Sequence, residues 1–195
     1  MDFGEFISSL TLFDFVYFLF LFGFFVLGFA QGTIRRLLGL AAVMFSFLFA
    51  ANVRDPLGAF LAANWTQFPK EYAYMIGFLT VFLAAWIALT IVIQNFYTTQ
   101  PLWEKYRFVD EVIGGILGVI EGGLLLVVAI VILDSFFLIP GIPADADELP
   151  FLREIWTALD SSQIVQVFRE TLIPFFFLLT GLFIPDRIES MYPSV

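Results

Sequence analysis

Apolar residues along the chain fall into four long runs separated by short polar connections. The first extends from about Leu10 to Ala30, with only Asp14 inside it, near its start. At about 1.5 Å of rise per residue, such a run covers the roughly 30 Å hydrocarbon layer of a bilayer and predicts a membrane-spanning helix. Gln31-Gly32-Thr33-Ile34-Arg35-Arg36 makes a tight polar connection. The second run, over about 36–53, is short for a span but workable if its arginines snorkel to the interface. A third covers about 73–94 and a fourth about 112–138. With the first at about 10–31, the runs predict an all-α integral membrane protein whose residues 1–140 form a four-transmembrane-helix bundle, helices 1 and 2 paired as a hairpin.

The connections carry their own signals. Pro56 to Glu71 mixes Leu57, Phe60, Leu61, Trp65 and Phe68 with polar residues, which predicts a short helix lying in the interface. Gln94 to Arg107 is a polar loop with Pro101 and Lys105, and its Trp103 and Tyr106 suit the headgroup level. Beyond Pro140 the composition changes. Pro143, Asp145, Asp147, Glu148 and Pro150 form an acidic linker, after which Leu152, Ile155, Trp156, Leu159, Val167 and Phe168 recur every three or four residues, as in an amphipathic interfacial helix. The last apolar stretch, Leu172 to Ile184, is bracketed by Pro174 and Pro185. At about 13 residues it favours a re-entrant or interfacial segment, a short fifth span being the alternative. Residues 141–195 are thus a linker and interfacial helices appended to the bundle.

Composition sharpens this picture. Of 195 residues, 61% are hydrophobic and only 14% charged, and 27 are Phe, more than one small soluble core could bury. The expected solvent is a bilayer. A net charge of −9 without a basic run removes the electrostatic footprint of a nucleic-acid binder. Cys and His are both absent, which rules out zinc sites, thiol catalysis, disulfides and imidazole acid/base chemistry built from this chain alone. No phosphate-cradling glycine loop occurs, because the glycines lie within apolar runs. No catalytic residue, cofactor or metal ligand is assigned. Asp2 and Glu5 stand where a signal peptide has a basic region, so a cleaved leader is not expected. Arg35 and Arg36 follow helix 1 while no basic residue precedes it, which places the first hairpin loop in the cytoplasm and the N-terminus outside.

Two faces stand out. On helix 4, Gly114, Gly118 and Gly122 repeat every fourth residue, widened by Gly115 and Gly123, a stripe on which another backbone can lie closely. At about 100° per residue, Asp110 and Glu121 fall within about 60° of it. Glu121 would sit near mid-membrane, where a carboxylate is costly unless protonated, paired or wetted. It is either a hydrogen-bonded tie between helices or a water-lined ion or proton site, unless helix 4 starts later and leaves it shallow. On helix 1, Asp14, Gly28 and Gly32 share a face that could pack on helix 4. Asp14 suits a cap at the helix start. Arg35 and Arg36 serve as topology determinants, with pairing to Asp110 or Glu111 as a further role. Asp134 reads as an interfacial residue closing helix 4. An aspartyl dyad drawn from Asp14, Asp110 or Asp134 would have to join opposite membrane sides.

With these residues laid out, the chain resembles the CvpA family of bacterial inner-membrane proteins, named for a requirement in colicin V production. Phe13-Asp14 opens the first span, and Gly28-Phe29-Ala30-Gln31-Gly32-Thr33-Ile34-Arg35-Arg36 is similar to the family's Arg-Gly-Phe-x-Arg-Glu turn. Asp110 to Gly122 resembles its Asp-Arg-x-x-Gly-x-x-x-Gly-x-x-Arg-Gly pattern. Asp134-Ser135-Phe136, Trp156 and Ser161/Ser162 match further family positions. Arginines expected near Gln31, Glu111 and Glu121 are replaced here, two of them by acids. The resemblance implies a four-span, non-enzymatic protein of the bacterial cytoplasmic (inner) membrane linked to colicin V export and envelope physiology. Its expected partners are the lipid bilayer and either further copies of itself or other membrane proteins. The rival expectation is a subunit of a small oligomeric channel or transporter using Glu121 and Asp110.

Overall fold

The computed structural model describes residues 11–65, 70–97, 106–137, 150–185 and 188. Within them lie α1 (Leu12–Gln31), α2 (Thr33–Asn64), α3 (Lys70–Phe96), α4 (Arg107–Phe137), α5 (Pro150–Asp160) and α6 (Gln163–Phe183), with no strand among the described residues. The acidic stretch at 141–149 and the loop segment at 98–105 lie outside them.

Thr11 caps α1 in a capping box: its hydroxyl accepts from the Asp14 N–H, and its own N–H donates to Asp14 Oδ2 at 2.7 Å. The chain then turns at Gly32 (φ 77°, ψ 175°), a conformation only glycine adopts without strain. Contacts divide the bundle into two pairs, α1 with α4 and α2 with α3, joined along α2 and α4. α1 and α2 touch little beyond the turn and splay apart from it. Glycines set both pairings. A Cβ on Gly28 would strike the backbone of Gly114, and one on Gly118 the carbonyl of Phe24, so α1 and α4 run antiparallel with backbones in direct contact. Gly58 seats the ring of Tyr74 in the same manner between α2 and α3. Aromatic packing fills the centre, with Phe47 against Phe78 at 5.8 Å and Tyr72 against Phe136 at 4.2 Å between ring centroids. The opposite side of α1 exposes Leu12, Phe15, Phe18, Leu19 and Phe22, side chains suited to lipid.

Among the described residues five helices are long and apolar enough to cross a membrane, α1 to α4 and α6, where the hydropathy of the sequence points to four. The fifth arises because α6 begins at Gln163, ahead of the Leu172–Ile184 stretch. Ser161 and Ser162 break the amphipathic pattern, so α5 ends at Asp160, and Val167 and Phe168 belong to α6. Pro174 explains the π-helical turn at Phe168–Leu172: it has no N–H for the carbonyl of Glu170, and just before it the ladder widens so that the Ile173 N–H bonds the Phe168 carbonyl. A second correction concerns residues 56–64. They continue α2 through Pro56 instead of forming a separate interfacial helix, because Leu57 and Leu61 pack beside Gly77 of α3. At 32 residues α2 is about 48 Å long, more than the hydrocarbon requires.

Gly32→Ala is expected to cost about 1–3 kcal/mol, read as a lowered midpoint of denaturant titration in detergent, because its Cβ meets both the strained backbone and the Asp110 carboxylate. Gly23→Ala, whose Cβ would meet nothing within 4 Å, should stay within about 0.5 kcal/mol of the parent.

Candidate functional site

Among the described residues, buried polar clusters tie the helices together at the end of the bundle holding the Gly32 turn and at the far end. At the turn end, α2 begins without a side-chain cap of its own. Asp110 of α4 supplies one: its Oδ1 accepts from the Thr33 N–H at 3.4 Å, and Thr33 Oγ1 donates to the Asp110 carbonyl at 3.1 Å. One side chain thus satisfies the start of a different helix. The expected pairing of Arg35 or Arg36 with Asp110 or Glu111 does not occur. Glu111 instead accepts from the exposed Arg107 four residues before it, and Arg35 is half-buried outside any described ion pair.

Arg36 points into the bundle and donates to Glu121 Oε2 at 2.6 Å and to Gln31 Oε1 at 2.9 Å. Both charged side chains are under one-tenth exposed. Their encounter follows from helix direction. α2 and α4 run parallel from the turn end, and a helical Cβ leans toward its N-terminus, so Glu121 reaches back along α4 toward Arg36. Gly39 completes the fit, because a Cβ there would stand 2.6 Å from Glu121 Oε1. Glu121 therefore acts as a paired, hydrogen-bonded tie between α2 and α4. Gly114, Gly118 and Gly122 lie directly against α1, and Phe24 packs on Gly122.

The far-end cluster contains residues that the sequence treated separately. Asp14, 1% exposed, accepts from Ser162 Oγ at 2.6 Å and from the Ile164 N–H at 3.1 Å, so it anchors the first turn of α6 as well as capping α1. Asp134, three residues before the end of α4, is fully buried within the bundle. Arg169 grips it with two bonds, Nε at 3.0 Å and Nη2 at 2.7 Å, and the Trp156 indole N–H donates to it at 3.0 Å. Arg169 also pairs with Asp160. Because α1 and α4 are antiparallel, Asp14 and Asp134 share one end of the bundle, contrary to the expectation that a membrane separates them. Each binds a different part of α6, so they form no dyad. The usable signal was the coincidence of Asp14, Asp134, Trp156 and Ser162 among the residues carrying the family likeness.

Between α6 and the other helices lies an apolar groove of about 470 Å³, lined by Leu21, Met44, Ile120, Leu124, Leu172 and Phe176 among others. Among the described residues no group of three acidic side chains is placed to hold a metal ion.

A model of the protein family described as "Colicin V production protein" matches residues 13–172, most of the chain. No curated protein and no solved structure matches it.

Breaking the Arg36–Glu121 pair from one side should be costly. Glu121→Leu strands a buried guanidinium and is expected to lower stability by about 3–5 kcal/mol, whereas Arg36→Met with Glu121→Leu should recover most of that loss. Additive losses in the denaturation midpoints would mean that the two charges are not coupled.

Proposed function

The chain belongs to the colicin V production protein family, and from that premise we propose that it is a non-enzymatic multi-pass factor of the bacterial inner membrane, supporting colicin V production through helix packing and contacts with other membrane proteins. One observation carries this reading: among the described residues, each of the four buried carboxylates of the spans bonds a group on another element. Asp14 holds Ser162, Asp110 holds Thr33, Glu121 holds Arg36 and Asp134 holds Arg169. An ion pathway needs carboxylates that exchange partners with water or a permeant ion. Here they are committed to neighbours in a bundle whose closest pair is sealed backbone to backbone. Such a molecule offers partners a fixed shape.

The test has two arms. Purified protein in proteoliposomes should conduct neither protons nor other ions above empty vesicles, with or without Glu121→Gln. Flux in the parent that disappears in a folded Glu121→Gln variant would favour the channel reading instead. In colicin V-producing cells lacking their own copy, Gly118→Leu should fail to restore production, because its side chain would be driven into the Phe24 carbonyl.

A further inference from the structure

By length and composition α6 can span a bilayer, yet its contacts place both of its ends at the same end of the bundle. Its first turn is fixed to Asp14 by Ser162 and the Ile164 N–H, and at its last turn the Phe183 carbonyl accepts from Asn52 Nδ2 at 3.0 Å. Asp14 and Asn52 stand about 18 and 20 residues from the Gly32 turn, along α1 and α2. At 1.5 Å per residue these arms measure about 27 and 30 Å, and α6 itself, with 21 residues, about 31 Å. The three helices therefore form a nearly equilateral triangle with the turn at its apex and α6 as the side opposite. The middle of α6 agrees: Phe176 packs on Phe47, about 22 Å from the turn, with ring centroids 4.9 Å apart. A helix crossing beside α2 and α4 would instead finish near Thr33 and Asp110.

We infer that α6 lies across the membrane half nearest the start of α1 and does not pass through it. The chain then crosses four times, and residues after α6 emerge on the side where α1 begins. Three ties hold this arrangement: buried Asp14 at the start, the bidentate Arg169–Asp134 pair on the π-helical turn with Asp134 fully buried, and the exposed Asn52 at the end. They also account for a charged Arg169 in so apolar a segment. At that position it meets Asp134 near the far end of α4, whereas in a crossing helix it would be carried deeper into hydrocarbon. Together with α5, whose Trp156 covers the same Asp134, α6 forms a platform on one face of the bundle.

The chain has no cysteine, so single nitroxide labels can be placed without background. Labels at Leu172, on the rim of the groove, and at the exposed positions Leu178 and Leu182, in proteoliposomes, report depth through accessibility to oxygen and to a water-soluble nickel complex. A helix lying across the bilayer gives depths that agree within about 5 Å, whereas a crossing helix changes depth by about 15 Å between Leu172 and Leu182. The second result would overturn the inference. An independent reading uses Ser8→Cys and Ser194→Cys with a membrane-impermeant maleimide on intact cells. Labelling of both, or of neither until the membrane is opened, places them on one side as expected; labelling of one alone refutes it.

Discussion

Direct backbone contact between α1 and α4 is the constraint on which the remaining geometry depends. In lipid there is little hydrophobic gain from bringing two apolar helices together, so association rests on close packing and on polar groups that find partners. Gly28, Gly114 and Gly118 allow that approach. It carries the Gly32 turn onto Asp110, which caps α2 and thereby sets the start of α2 level with the start of α4. Once those starts are level, Arg36 comes within reach of Glu121. A bulky side chain on the glycine face would lever apart the α1–α4 contact, and with it the cap and the ion pair.

At the other end the same antiparallel pairing brings Asp14 and Asp134 together as two acceptors. α6 answers with a serine, a backbone N–H and a guanidinium. The π-helical turn has a local cause in Pro174 and a distant consequence, since Arg169 lies on it. Among the described residues the buried carboxylates at both ends have donors: a carboxylate in hydrocarbon needs one, and it comes from a different element in each case. The polar residues of this chain are few, and those buried in the bundle interior act mainly as connectors.

How much of this could be read from the chain depends on the range of the signal. Four apolar runs, the glycine stripe on helix 4 and the matching face of helix 1 are local periodicities, and the pairing of α1 with α4 follows from them. Pairings across distant elements are different. Arg36 was expected beside Asp110 or Glu111, and the parallel run of α2 and α4 with the space at Gly39 brings it to Glu121 instead. Asp134 closes its span as its position suggests, but nothing within its helix shows that Arg169, 35 residues later, returns to it. Pro56 ordinarily argues for a break, but packing of Leu57 and Leu61 beside Gly77 outweighs the lost hydrogen bond.

Hydropathy also leaves the path of an apolar helix undetermined. A length of 21 residues is sufficient to cross a bilayer, but a helix of that length resting on protein can lie along it just as well. The decision falls to the polar ties at its ends. In α6 those ties are Ser162 with Asp14 at one end and the Phe183 carbonyl with Asn52 at the other, attached to two helices that diverge from a common turn. A divergent pair leaves a gap that widens with distance from its apex, and α4 alone is too narrow to fill it at the far end. An oblique apolar helix closes that gap, and its outer side, with Leu178 and Leu182, remains turned to lipid. The splay imposed at Gly32 and the course of α6 are therefore two consequences of one geometry.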